Sequence, residues 1–400
     1  MYRNQFIVWL LLGLVVMGGC RKAYLDVNLR GVALQVNFPD NFSTIPAANA
    51  TVSFRNTNTG VQFTFTTDSE GRILVDSLLK GSYEVNAFRK VEPAEALQLV
   101  GIDAEIFLNA AIPNLSIGDN NVPEVLKLKG TLPGGLVFKE VFYTGSRTPA
   151  GGSYFSDQFY EIYNNSADTI YADSLCIANT GGTSGQSSTG RTWGFMSDPD
   201  HVYLQNVWMV PGTGRDHPIA PGESIIIAQD GINHQDDPLG NPSSPVNLGL
   251  GRADFETYVP RSDNRDLDSD VPNLTAIYLG SVGFDWLVPV FGPGMVIFRH
   301  SNVAALPLFV EPNNTSSAQY MQVPIDSVYD AVDFLANANA VNFKRIPVAL
   351  DAGFKFCSGT YVGESVRRKV RTSINGRRVL QDFNNTTEDF EVATRPLVRW

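Results

Sequence analysis

Short runs in which alternate residues are strongly apolar recur along this chain, and they limit its possible folds more than any other feature. The first clear run places Val32, Leu34, Val36 and Phe38 at every second position. Such alternation puts the apolar side chains on one face of a β-strand. Turn-forming sequences, for example residues 58–60, separate the runs, and the chain contains 35 glycines and 23 prolines. We therefore predict an all-β protein.

The first twenty residues have the features of an exported lipoprotein. Arg3 precedes an apolar run that is too short to span a bilayer, and two glycines stand directly before Cys20. This arrangement resembles a bacterial lipobox, which implies that residues 1–19 are a signal peptide and that Cys20 carries lipid. Residues 20–24 would form a tether. No acidic residue directly follows Cys20, which fits the outer membrane, at its periplasmic or its cell-surface face.

Residues 25–129 are predicted to form a first β-sandwich domain. Its Thr-Asp-x-x-Gly and Gly-x-Tyr elements begin at Thr67 and Gly81. With the runs around them, they resemble the carboxypeptidase-regulatory-like (transthyretin-like) fold. Such modules are usually spacers, so the resemblance implies no activity. Residues 130–135, which are rich in glycine and contain a proline, are predicted to be a hinge.

Residues 136–400 are predicted to form a second sandwich. Several segments resemble the lamin-tail-like immunoglobulin-type fold, namely residues 136–143, 159–166, 219–228, 365–369 and 382–390. A plain module of that family is less than half this length. Long insertions are therefore expected near residues 181–218, 231–270 and 301–341, and long loops on a rigid scaffold often carry binding residues.

The last insertion is predicted to contain a short helix. Val328, Ala331, Val332 and Leu335 recur at helical spacing, and Ser327 stands where an N-cap is expected. We interpret this helix as a packing element against the sandwich.

The layout and the lipobox together resemble a family of Gram-negative lipoproteins with a domain of unknown function, often encoded beside TonB-dependent transporters. The resemblance implies an accessory binding role in the uptake of nutrients or metal chelates. A structural or adhesive surface protein and a metal-dependent enzyme are the alternatives. The sequence contains no His-Glu-x-x-His motif, nucleophile elbow or dinucleotide fingerprint, so no catalytic residue is proposed. The net charge of −11 disfavours nucleic acid as a partner.

Alternating carboxylates suggest one metal site. Asp266, Asp268 and Asp270 could place several oxygens around Ca²⁺, which prefers about 6–8 such ligands. The glycine and the later acidic residue of a complete calcium loop are missing. The alternative is a solvated acidic turn before the next strand.

Histidines and cysteines leave further options open. His201, His217 and His234 lie in the predicted insertions and could share a metal ion if the loops converge, or they could be scattered. Cys176 and Cys357 could be two separate buried thiols or one disulfide.

Four aromatic residues are candidates for ligand or partner binding. Trp193, Tyr203 and Trp208 lie in the first predicted insertion, and Trp286 lies before a proline-containing loop. Large, stiff side chains often anchor interfaces. The alternative is that they cover an enlarged sandwich core.

Overall fold

The computed structural model describes residues 29–101, 105–118, 121, 123–130, 135–182, 191–262, 266–281, 283, 285–286, 288–374 and 376–400. The predicted signal peptide, the tether with Cys20, and residues 131–134 of the predicted hinge lie outside this part of the chain. The described residues form mainly strands, which confirms the prediction of an all-β fold. None of the helices in these ranges is both long and apolar enough to cross a membrane.

In the described part of the chain, the first unit has seven strands and one helix. These are β1 (Leu29–Asn37), β2 (Thr51–Asn56), β3 (Gln62–Thr66), β4 (Arg72–Leu79), β5 (Gly81–Val91), α1 (Pro93–Val100), β6 (Ile106–Ile117) and β7 (Glu124–Lys127). One sheet has the order β4-β1-β7 and the other has the order β3-β2-β5-β6. The alternation in the sequence appears directly in the burial of β2, where Val52 and Phe54 are buried and their neighbours are more exposed. The inward-facing side chains of both sheets form one core.

The second unit begins at β8 and contains nineteen of the described strands. The first ten are β8 (Leu136–Phe142), β9 (Ser146–Arg147), β10 (Ser153–Tyr154), β11 (Phe159–Asn164), β12 (Ile170–Tyr171), β13 (Cys176–Thr180), β14 (His201–Met209), β15 (Pro218–Ile219), β16 (Ser224–Ala228) and β17 (Phe255–Glu256). The remaining elements are β18 (Thr275–Leu279), β19 (Gly294–Phe298), β20 (Leu308–Val310), β21 (Gln319–Pro324), β22 (Val328–Asp333), β23 (Ser365–Arg368), β24 (Val370–Ile374), β25 (Arg377–Leu380), α2 (Thr386–Asp389) and β26 (Phe390–Ala393).

Two large sheets build the second unit. A six-stranded sheet has the order β17-β16-β11-β8-β23-β26, and a seven-stranded sheet has the order β20-β21-β14-β13-β19-β22, with β18 pairing to β14. The core between them includes Phe138 and Tyr160 from the first sheet and Trp208 and Ile297 from the second. The predicted first and last insertions thus supply strands of the seven-stranded sheet.

The outer faces of both sheets are also covered. Phe142 and Ile226 of the six-stranded sheet pack against Leu248, which belongs to the predicted insertion at residues 231–270, and against Val271, which directly follows it. The other sheet has an equivalent outer cluster. Because both faces are covered, every residue of β8 and β11 is buried. The insertions therefore form outer layers that continue the hydrophobic core.

The predicted helix after Ser327 is wrong. Residues 328–333 form β22, which pairs antiparallel with β19, while Ser327 ends a 3₁₀ turn (Ile325–Ser327). The register shifts where β22 passes Phe298, so Val328 and Ala331 join the same outer cluster although they are three positions apart. Val332 contributes to the core on the other face. In a strand that is bulged and buried on both faces, the apolar residues can therefore show the spacing that is typical of a helix.

The two units touch through a small set of contacts. The rings of Phe107 and Phe383 lie 4.2 Å apart between centroids, and Asn384 Nδ2 donates to the Phe107 carbonyl at 3.0 Å. Lys129 and Asp200 form an ion pair of 2.5 Å. The chain segment that precedes β26 is therefore fixed against the first unit.

Cys176 and Cys357 are both free thiols. Cys176 belongs to the outer cluster of the seven-stranded sheet, whereas Cys357 belongs to the core between the sheets. They are two separate buried thiols and do not form a disulfide.

Candidate metal centre

The four aromatic residues predicted to bind a ligand or partner are buried. Trp193 and Tyr203 are 2% and 5% exposed, and Trp208 and Trp286 are fully buried. Trp286 Nε1 donates to Asn179 Oδ1 at 2.8 Å, and its ring packs against Trp208. These side chains build the core and offer no surface to a partner in this conformation.

The three alternating carboxylates do not converge. Asp268 and Asp270 are exposed, and Asp268 accepts a hydrogen bond from Asn273. Asp266 alone is buried, and its Oδ2 accepts from the Val259 N–H at 2.8 Å. The structure therefore separates Asp266 from its two sequence neighbours and directs it into the second unit.

Glu256 at the end of β17 brings the inserted segment back onto the sheet. Its fully buried carboxylate accepts from the Gly231 N–H at 2.6 Å and from the N–H and hydroxyl of Ser269 at 2.8 and 2.7 Å. Residue 231 must be glycine here, because a Cβ would lie 2.7 Å from the Val271 Cβ. This attachment brings the residues beside Gly231 and those shortly before Ser269 close together.

Three buried carboxylates meet where these segments approach each other. Oxygen atoms of Asp230, Asp266 and Asp285 all lie within 4.8 Å of one another. Asp230 follows β16, and Asp285 lies in the loop between β18 and β19. Their exposed fractions are 3%, 3% and 0%. This is the one group of three or more converging potential metal ligands in the described part of the chain.

Burial dominates the electrostatics of the group. Removal from water raises the pKa of Asp266 to about 8 and that of Asp285 to about 6, and the neighbouring carboxylates add to the effect on Asp266. The pKa of Asp230 lies well above its ordinary value for the same reasons. Oδ1 of Asp230 and Oδ1 of Asp266 are buried and have no hydrogen-bond partner among the described residues. Such oxygens are able to hold a hard cation.

The histidines do not take part as ligands. His234 is fully buried, with Nδ1 bonded to the Tyr154 hydroxyl at 2.8 Å and Nε2 bonded to the Asp230 carbonyl at 3.1 Å. His201 lies beside Asp198, and His217 packs its ring against Phe255. The shared histidine site considered from the sequence is therefore absent from the described residues.

Sequence reasoning found one of the three converging residues. Asp230 follows a buried strand and Asp285 precedes a tryptophan, so neither stands in an acidic pattern. For each of these two residues, the sequence offers only a single aspartate directly beside strongly apolar residues, which is a weak indication of a metal ligand. Only the fold brings the three segments together, and Glu256 joins two of them through Gly231 and Ser269.

A cleft lies between the two units. Its volume is about 690 Å³. Asp40, Phe42 and Lys127 line it from the first unit, and Asp326 and Tyr329 line it from the second. This size lies within the range of small-molecule sites.

Comparisons with known proteins place the chain in a family. Residues 220–397 match the family model described as protein of unknown function DUF4876. The crystal structure of a DUF4876 family protein from Bacteroides thetaiotaomicron VPI-5482 is 30% identical, covers 93% of this chain and 96% of its own, and gives a TM-score of 0.58.

Other similarities are much weaker. Two proposed adhesins from Bacteroides ovatus are 12% and 9% identical, with TM-scores of 0.17 and 0.20. The two matches cover 40% and 77% of this chain and 59% and 87% of the matched chains. Neither similarity supports a conclusion about the fold or function of this protein. A search among curated proteins gave no match. With 30% identity over nearly the whole length of the Bacteroides thetaiotaomicron protein, the chain belongs to the DUF4876 family.

Proposed function

We propose that this protein is a lipid-anchored binding protein of the outer membrane that assists a TonB-dependent transporter in the uptake of a nutrient or metal chelate. The observation that carries the proposal is the order of its parts. A lipobox ending at Cys20 is followed first by a small sandwich with its own core and then by a much larger unit. In this order the first unit acts as a spacer between the bilayer and the second unit.

The attachment follows from the chemistry of acyl chains. A single chain holds a protein only marginally, whereas two or more hold it durably. The cysteine of the lipobox family carries several chains, so Cys20 would be enough to retain the protein at the membrane. The lipobox resemblance and the small residues before Cys20 support this step.

The cleft between the units is the proposed place of ligand contact. It combines charged groups, among them Lys127 and Asp326, with the apolar ring of Phe42. A concave surface with a few polar groups on an apolar lining suits a small organic ligand or chelate.

Replacing Cys20 by alanine is expected to release the protein from the membrane. Acyl chains on Cys20 are the proposed attachment, so a variant that cannot be acylated should move from the membrane fraction to the soluble periplasmic or secreted fraction. Immunoblotting of fractionated cells measures the change.

Two further readouts make the Cys20→Ala result decisive. Mass spectrometry of the wild-type protein should show acyl chains on Cys20 as the first residue. The Cys176→Ala variant, which changes a buried thiol, should stay in the membrane fraction like the wild type. Retention of the Cys20→Ala variant in the membrane fraction would contradict the proposed anchor.

The wild-type protein is expected to copurify with a TonB-dependent transporter after mild detergent extraction. Mass spectrometry should identify the β-barrel, and an unrelated tagged outer-membrane lipoprotein extracted in parallel should not retain it. Deletion of the gene should then reduce uptake of the transporter's substrate. Attachment to cells or matrix with unchanged uptake would instead identify a structural or adhesive protein.

A further inference from the structure

The carboxylates of Asp230, Asp266 and Asp285 need compensation that the described residues do not supply. All three are more than nine-tenths buried, and none forms an ion pair with a lysine or arginine in the described ranges. Glu256 lies close enough to raise the pKa values of all three. Several acidic groups gathered away from water are stable only when they are protonated or when a cation joins them.

Asp230 and Asp266 each keep one carboxylate oxygen without a hydrogen-bond partner among the described residues, whereas Asp285 accepts through both of its oxygens. Asp266 is held by the Val259 N–H through Oδ2, which leaves Oδ1 unpartnered. Asp285 accepts from the Trp286 N–H at 2.6 Å and from the Ser156 hydroxyl at 3.3 Å. Asp230 Oδ1 has no partner among the described residues. The side chains are therefore oriented before any ligand arrives.

Gln229 gives an independent indication of a ligand. It is fully buried, its side chain lies against Asp285, and neither its Oε1 nor its Nε2 has a hydrogen-bond partner of normal geometry in the described part of the chain. An unpaired buried amide oxygen is costly unless something outside the protein satisfies it. Gln229 and the Ser156 hydroxyl thus both lie beside Asp285, next to the three carboxylates.

The donor set selects the class of ion. Neutral and anionic oxygens suit hard cations, whereas Zn²⁺ and Cu²⁺ favour imidazole and thiolate. The nearby His234 has both ring nitrogens occupied, and the thiols of Cys176 and Cys357 lie in other clusters. Opposite oxygens around Ca²⁺ are about 5 Å apart, and Ca²⁺ accepts irregular geometry, while Mg²⁺ requires a tighter octahedron. The aspartate oxygens all lie within 4.8 Å of one another, so one such ion can contact all three carboxylates.

We propose that Asp230, Asp266, Asp285 and Gln229 bind one Ca²⁺ ion, with water completing its shell. The ion would join three chain segments, because Gln229 and Asp230 follow β16, Asp266 belongs to the covering insertion, and Asp285 belongs to the loop before β19. Binding would therefore fix the outer layer to the six-stranded sheet. This inference goes beyond the proposed transport role and does not depend on it.

Calcium titration of the full chain in detergent tests the site. After treatment with EDTA and dialysis, calorimetric titration with CaCl₂ should show one site per chain. At a free Ca²⁺ concentration of a hundred times Kd, the midpoint of thermal unfolding should rise by about 5 °C or more. The same concentration of MgCl₂ should raise it by clearly less.

Matched variants in one loop identify the ligands. Asp230→Asn and Asp266→Asn keep the side-chain shape, and each should abolish the calcium heat while the unfolding midpoint in EDTA stays equal to or above that of the wild type. Asp268→Asn and Asp270→Asn remove exposed carboxylates and should leave binding unchanged. If one of the buried variants does not fold, the other gives the same readout. Absence of calcium binding in the wild type, an equal response to Mg²⁺, or binding that survives in both buried variants would overturn the proposal.

Discussion

Replacing Arg368 by methionine is expected to lower the free energy of unfolding by about 3–5 kcal/mol. The guanidinium is 1% exposed, donates to the Phe138 carbonyl at 2.7 Å and pairs with Asp330. It also lies 3.2 Å from Asp382 and 3.7 Å from Asp389. Methionine fills much of the same space but leaves these buried carboxylates uncompensated. Urea unfolding followed by tryptophan fluorescence measures the loss.

Arg371→Met is the matched control for this prediction. Arg371 stands three residues later, is about one-third exposed, and pairs with Glu105 at the surface between the units. Pairs of this kind contribute at most about 1 kcal/mol. If the two variants lose similar stability, the guanidinium of Arg368 does not have the central role that its contacts indicate.

Replacing Trp286 by alanine is expected to destabilise the second unit by about 3–5 kcal/mol. The indole is fully buried, and its ring centroid lies 5.1 Å from that of Tyr160 and 6.1 Å from that of Trp208. Alanine would leave a large cavity between the two sheets. Denaturant unfolding at constant pH measures the change.

Phenylalanine at two positions separates packing from hydrogen bonding. Trp286→Phe removes the bond to Asn179, whereas Trp208→Phe removes an indole N–H that has no partner among the described residues. We expect Trp286→Phe to cost about 1 kcal/mol more than Trp208→Phe. An equal cost for the two changes would show that the bond to Asn179 contributes little, and a small cost for Trp286→Ala would contradict the core role itself.

Alternation in the sequence was sufficient to predict strands wherever one face is solvated. Val52 and Phe54 of β2 are buried between more exposed neighbours, as a single buried face requires. The same rule fails in the second unit, where β8 and β11 are buried on both faces. Strands covered on both sides lose their period of two, and for β22 the added register shift imitated a helix.

The candidate site was harder to predict than the strands. Asp266 was identified because it stands in an acidic run, but its companions Asp268 and Asp270 face solvent. Its converging companions, Asp230 and Asp285, are distant in sequence and meet only in the folded unit. Spacing along the chain reports such contacts only when one local loop supplies every ligand. Burial of the aromatic candidates was hard to foresee for a related reason, since an enlarged core and an interface favour the same side chains.

The separate positions of the two free thiols have a practical consequence. Burial raises the pKa of Cys176 and of Cys357 to about 12, so neither reacts at neutral pH while it stays covered. One thiol lies under the outer layer and the other lies between the two large sheets. The rates at which they become alkylated would thus show whether the layers of the protein come apart one after the other or all at once.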